Sequence, residues 1–91
     1  MNKWNVIDAC PKEDFTMLLT FYKGKKRILD FKPLFEELGI DKLKDINFFM
    51  KAKSDHFTVM WDEKTDIAPE YLYEKSKAVK TVRKTSKNSN F

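Results

Sequence analysis

The sequence predicts a small α+β domain: an antiparallel, or in part mixed, sheet of four or five strands with short helices packed on one face. Three observations carry this. The chain has 91 residues, enough for one domain and too few for a doubly wound sheet or an α/β barrel. Two segments, 15–22 and 57–61, alternate in the manner of half-buried strands. Between and after them, Pro33, Gly39, Asp45 and Pro69 punctuate stretches short enough to hold only brief helices.

The elements follow in order. Residues 3–8 alternate loosely, with Trp4 and Val6 on one face, and suit a short first strand. Residues 10–14 read as a turn, in which Pro11 holds Cys10 extended. Residues 15–22 form the strongest strand, with Phe15, Met17, Leu19 and Phe21 on one face. Gly24 can take the positive φ of a tight hairpin, so 15–22 pairs with 26–31. Asp30 precedes a helical turn whose first residues include Pro33, and Gly39 ends that helix. Asp45 caps a second helix through Phe48 and Phe49. Residues 50–54 predict a strand, Asp55-His56 a turn, and 57–61 a strand with Phe57, Val59 and Trp61 facing one way. A polar loop, 62–66, leads to a last helix from Pro69 to about residue 83. Ile67 and Leu72 form its hydrophobic staple, and Ala68 or Asp66 its cap.

Eight Phe, three Tyr and two Trp exclude a disordered chain. With one cysteine, Cys10, and one histidine, His56, neither a disulfide nor a four-ligand Cys/His zinc site can form within the chain. No stretch approaches the roughly 20 apolar residues of a transmembrane helix, and the N-terminus lacks the apolar core of a signal peptide. The sequence therefore reads as cytoplasmic, without cofactor or membrane partner. Its net charge of +4 is uneven. Six of the 18 cations and none of the 14 acids follow Glu74, so residues 1–74 carry −2 and the remainder +6. The expected organisation is a domain over 1–74 and a basic extension over 75–91, helical at first and disordered at its end.

Phe21-Tyr22-Lys23-Gly24 with Leu29-Asp30-Phe31-Lys32-Pro33-Leu34, then Leu43 to Phe49, then Trp61 with Asp66-Ile67-Ala68-Pro69-Glu70-Tyr71-Leu72-Tyr73, form a recognisable series. It resembles the bacterial domain-of-unknown-function family 2442 (DUF2442) over about residues 3–74. The last motif is the most specific. Lys23 departs from the acidic residue usual before the glycine, and the loop 62–66 lacks a glycine many members carry. The resemblance implies a small α+β fold and supplies no catalytic residues. Members often lie beside genes for another small family, which implies a paired system of the toxin–antitoxin kind.

The chemical inventory is thin. Cys10 and His56 are not brought together by any motif, Asp62, Glu63 and Asp66 lack the spacing of a calcium loop, and Gly24-Lys25-Lys26 is not a phosphate-binding loop. No catalytic or metal-binding residue is assigned. Trp61, Tyr71 and Tyr73 are the candidates for protein contact. Tyr71 and Tyr73 cannot share one helix face, so one should be exposed. On a continuing helix Lys77, Lys80 and Lys84 would line one face. With Arg83 and Lys87 they are the candidates for nucleic-acid contact. The expected function is a non-catalytic protein-binding or regulatory module, antitoxin-like in a paired system. The alternative is a nucleic-acid accessory protein acting through the basic extension. The expected partner is a small protein; a homodimer is a further option, because a small sheet leaves edges to cover.

Overall fold

The computed structural model describes residues 3–79. The fold class is α+β, with its strands divided between two antiparallel sheets. The first, in the order β1-β2-β3-β7, comprises β1 (Val6–Pro11), β2 (Thr16–Phe21), β3 (Lys25–Asp30) and β7 (Lys77–Ala78). The second, β4-β5-β6, comprises β4 (Lys53–Ser54), β5 (Val59–Asp62) and β6 (Thr65–Ile67). The helices α1 (Phe35–Leu38), α2 (Ile46–Phe49) and α3 (Pro69–Lys75) are short, and 3-10 turns precede the first two.

The alternation in β2 behaves as its side chains dictate. Met17, Leu19 and Phe21 are fully buried, while Thr16 and Leu18 on the other face are partly open. The inner face packs with Phe31, Phe49, Val59, Trp61, Ile67 and Leu72 into one core that joins both sheets to the helices. The β2–β3 hairpin forms with Phe21 opposite Lys25, its loop carrying positive φ at Lys23 and Gly24. Asp45 caps α2, its carboxylate accepting the Asn47 amide at 2.9 Å. Gly39 closes α1 in the left-handed conformation. Asp30 accepts the Lys32 amide at 3.0 Å just before the 3-10 turn containing Pro33.

Several elements differ from expectation. The first strand lies later, at Val6–Pro11, so Cys10-Pro11 belongs to a strand and not to a turn. Lys12 N donates to Thr16 O at 2.8 Å, which leaves the Pro11 nitrogen on the open side of an edge strand, where a missing N–H is harmless. Phe15 lies outside β2, at φ 66°, as the left-handed last residue of a three-residue hairpin loop. Its ring stands edge-on to Phe35 and Phe49, with centroids at 5.3 and 5.2 Å, and that packing offsets the backbone strain. Residues 62–66 form a tight hairpin into β6, because Thr65 and Ile67 alternate inward. Asp66 makes no cap bond to α3, whose start instead has Pro69 in its first turn.

The largest correction concerns the last helix, which ends at Lys75 and not near residue 83. Ser76 turns extended and is nearly buried. Its hydroxyl donates to Tyr73 O at 2.9 Å, and the Arg27 guanidinium grips it twice: Nε to Oγ at 2.7 Å and Nη2 to the carbonyl at 2.6 Å. These bonds redirect the chain into β7, which pairs antiparallel with Arg27 and Ile28. The folded structure thus extends past the boundary expected after Glu74. Lys77 lies on a strand, not on a helical stripe. Lys80, Arg83, Lys84 and Lys87 lie outside the described residues.

Candidate functional site

Two surface features stand apart from the core. The first is the turn Asp55–Thr58 between β4 and β5. The Asp55 carboxylate accepts the Phe57 amide at 2.9 Å and the Thr58 amide at 2.8 Å, which pulls both residues round the turn. Those bonds, the Thr58 amide first, hold the Asp55 carboxyl below its ordinary value. His56 takes φ 75°, and its amide donates to Ser54 Oγ at 2.9 Å. Ser54 Oγ in turn donates to Val6 O at 2.6 Å, and the Val6 amide donates to Phe57 O at 3.1 Å. Asn5 Nδ2 reaches His56 O at 3.4 Å. This backbone, fixed from three sides, presents the Phe57 ring to solvent at 63% exposure. Phe57 therefore does not face inward with Val59 and Trp61, as simple alternation predicts. The Asp55 bonds take it out of the strand.

The second feature lies at the hairpin end of the larger sheet. The Arg27 guanidinium sits 4.3 Å from the centre of the Tyr73 ring, which packs edge-on against Phe21 at 5.0 Å. The Lys3 ammonium is 5.9 Å from the same ring and 5.6 Å from that of Trp4. Tyr22 N donates to Asn5 O at 2.9 Å, joining this end to the segment that braces the Phe57 turn. Lys23, Lys25 and Lys26 are exposed around the hairpin tip.

The other sequence candidates fall as follows. Trp61 is 4% exposed and its Nε1–H donates to Phe49 O at 3.0 Å. It is a core residue and offers no contact surface. Tyr71 and Tyr73 are both half-buried, on different sides of α3. The Tyr71 hydroxyl donates to Glu37 Oε2, and Lys75 lies 3.5 Å from the same oxygen. Burial first, and the Glu37 bond second, push the Tyr71 hydroxyl up to about 12. The same bond, with Lys75 beside it, holds the Glu37 carboxyl below its ordinary value. Tyr71 is thus fixed in place, whereas Tyr73 belongs to the cationic end.

Cys10 is exposed on β1. Four residues of extended strand, about 13 Å, separate it from Val6, where the His56 turn is anchored. No group of three His, Cys, Asp or Glu among the described residues is placed to hold a metal ion. A cleft of about 330 Å³ lies by the outer face of β3, floored by Ile28, Pro33 and Leu34, with Thr16, Asp30, Lys75 and Lys77 around it. Asp30 there is already bonded to the Lys32 amide. Among the described residues no helix is long and apolar enough to cross a membrane.

Alternation and helical periodicity missed Phe57, Arg27 and Lys3. Asp55 two residues before Phe57 was the available signal for an exposed ring. The Arg27–Ser76 grip spans 49 positions and leaves no local trace.

No curated protein and no solved structure matches the chain. The sequence model of one family matches residues 6–78, most of the chain and all seven strands. The chain belongs to that family, described as Protein of unknown function (DUF2442).

Proposed function

We propose that the protein is a non-catalytic binding module that acts by contact with a small protein partner, in the manner of the antitoxin-like member of a paired system. The observation that carries this reading is the Phe57 turn. A large aromatic side chain is held out to solvent on a turn braced by a network of hydrogen bonds from Asn5, Val6, Ser54 and Asp55. Such a ring loses little conformational freedom on binding, and a preorganised aromatic anchor filling a partner's pocket supplies a large share of the energy of a protein interface. The positive φ at His56 adds to the reading, because backbone strain concentrates where a segment contacts a ligand or partner. The sheet edge at β1 is a poorer contact. Pro11 and the irregular register between Val6 and Asp8 blunt it against a further strand.

The test is affinity purification of the tagged full chain from its native host, beside Phe57→Asp and Phe57→Leu. The reading expects a stoichiometric protein partner that Phe57→Asp loses and Phe57→Leu weakens, with unfolding midpoints unchanged. Recovery of monomer alone over a range of salt, or equal recovery of the partner with all three proteins, contradicts it.

A further inference from the structure

The hairpin end of the larger sheet brings together groups far apart in sequence. Lys25 and Arg27 lie on one face of β3, two residues apart and so about 7 Å from one another. Tyr73 of α3 covers Arg27, and Lys3 stands between the Tyr73 and Trp4 rings. At the tip, the Lys23 ammonium lies 5.9 Å from the centre of the Tyr22 ring. Trp4 and Tyr22 are both half-exposed. The three ion pairs among the described residues involve Lys42, Lys44 and Lys75, so no carboxylate neutralises Lys3, Lys23, Lys25 or Arg27 there. Asp8 lies across Thr20 from Lys26, on the opposite face of the sheet from Arg27. The chain also leaves the described residues at this end, since Val79 N donates to Lys26 O at 3.2 Å. Four more cations, Lys80, Arg83, Lys84 and Lys87, and no acid follow in the sequence.

We infer that this end binds single-stranded nucleic acid, with phosphates meeting Lys3, Lys23 and Lys25 and unstacked bases lying on Trp4 and Tyr22. Cations interleaved with half-exposed aromatic rings form the surface that tracks a single strand, because each ring offers a stacking face to any base while the ammonium groups follow the backbone. Duplex DNA, whose bases are already stacked, would use the cations alone. Arg27 has a different part. Its guanidinium is engaged by Ser76 and lies against Tyr73, so it fixes the floor and leaves phosphate contact to the flexible lysines. Lys80, Arg83, Lys84 and Lys87 add positive charge to the chain, but the sequence there supplies no stacking ring before Phe91. This surface shares no contact residue with the Phe57 turn, and the two readings stand or fall separately.

The test is titration of the full chain with oligothymidine and oligouridine of about 20 nucleotides and with a duplex, read by anisotropy and by tryptophan fluorescence. Trp61 is buried, so quenching reports Trp4. Binding of single strands with quenching is expected, with oligothymidine and oligouridine distinguishing DNA from RNA preference. Lys3→Ala/Lys25→Ala should make the slope of log K against log[salt] shallower by about 1.4, at about 0.7 per phosphate contact. Trp4→Phe should abolish the quenching, and Trp4→Ala should weaken binding by about tenfold or more. Replacing Lys80, Arg83, Lys84 and Lys87 by Gln should weaken binding and leave the quenching. The inference is overturned by any of three results: no binding at low salt, a slope indifferent to Lys3 and Lys25, or complete loss with the Gln-substituted terminus.

Discussion

The two ends of the core are both aromatic, and they are built on opposite terms. At one end Phe31, Phe49 and Trp61 meet with centroids between 5.2 and 6.5 Å, and the one polar group among them, the Trp61 N–H, is satisfied by a backbone carbonyl. At the other end the buried Phe21 meets Tyr73, whose ring also carries the charged groups of Arg27 and Lys3. The first arrangement excludes water and contributes stability. The second keeps aromatic faces beside unneutralised cations at the surface, a poor way to build a core and a serviceable way to build a contact. Aromatic content alone, 14% of this chain, does not separate packing from recognition. The company of each ring does.

Truncating the dry end should have the largest effect. Phe49→Ala removes a ring shared by Phe15, Phe31 and Trp61 and should lower stability by about 3–5 kcal/mol in urea denaturation. A loss below about 1 kcal/mol would show that the two ends are not energetically distinct.

Next comes the wet end. Arg27→Met keeps the aliphatic stem but strands the nearly buried Ser76, and should lower stability by about 2–3 kcal/mol. Hydrogen exchange should show β7 losing protection first, with the β1–β2 pairing retained. Uniform loss of protection across the sheet would mean that Arg27 stabilises the whole sheet and not the β7 joint.

A smaller effect separates capping from packing. Asp45→Ala removes the α2 cap and should lower stability by about 1 kcal/mol, checked by the same denaturation. Asn at this position should restore most of it, since its side-chain oxygen can accept the same amide.

The Tyr71–Glu37 pair gives a titration signature. A tyrosine whose folded value is raised above its unfolded value of about 10 contributes stability that is complete below about 10 and is lost as the pH rises through about 12. Absorbance titration at alkaline pH should show one phenol ionising near that point, and Glu37→Gln should bring it down part of the way, because burial is the larger cause. In acid the signs reverse for Asp55. Its lowered value means that its contribution is present above about 3.9 and is lost as the pH falls through the folded value. Asp55→Asn should therefore flatten the acid limb of the stability profile.

The smallest effect on stability belongs to Phe57. Phe57→Ser should change it by less than about 0.5 kcal/mol, as at other surface positions, which calorimetry or urea denaturation will read.

What was legible in the sequence was local. The β2–β3 hairpin, the Asp45 cap, the Gly39 stop and the buried face of β2 follow from side-chain alternation and capping chemistry within a few residues. The family's motifs pointed to the same fold class as the alternation and the helix punctuation. The failures at the last helix and at Phe57 arose where a distant or turn-forming partner overrode local periodicity. Arg27, from β3, ended α3 at Ser76 and turned a predicted helical stripe at Lys77 into a strand. Asp55 rotated Phe57 out of the core, and the inward pairing of Thr65 and Ile67 turned a polar loop into a hairpin. Of the contact candidates, Trp61 proved to be core, Tyr71 fixed by Glu37, and Tyr73 part of a cationic cluster. That cluster needed Lys3 and Arg27 brought onto Tyr73, 70 and 46 positions further along the chain.

We propose above all that the protein works by contact. Purification of the tagged full chain from its native host, with and without nuclease, tests it most directly. Nuclease should strip nucleic acid from the eluate and leave a protein partner that Phe57→Asp loses. An eluate of bare monomer in both arms, across the salt range, would contradict it.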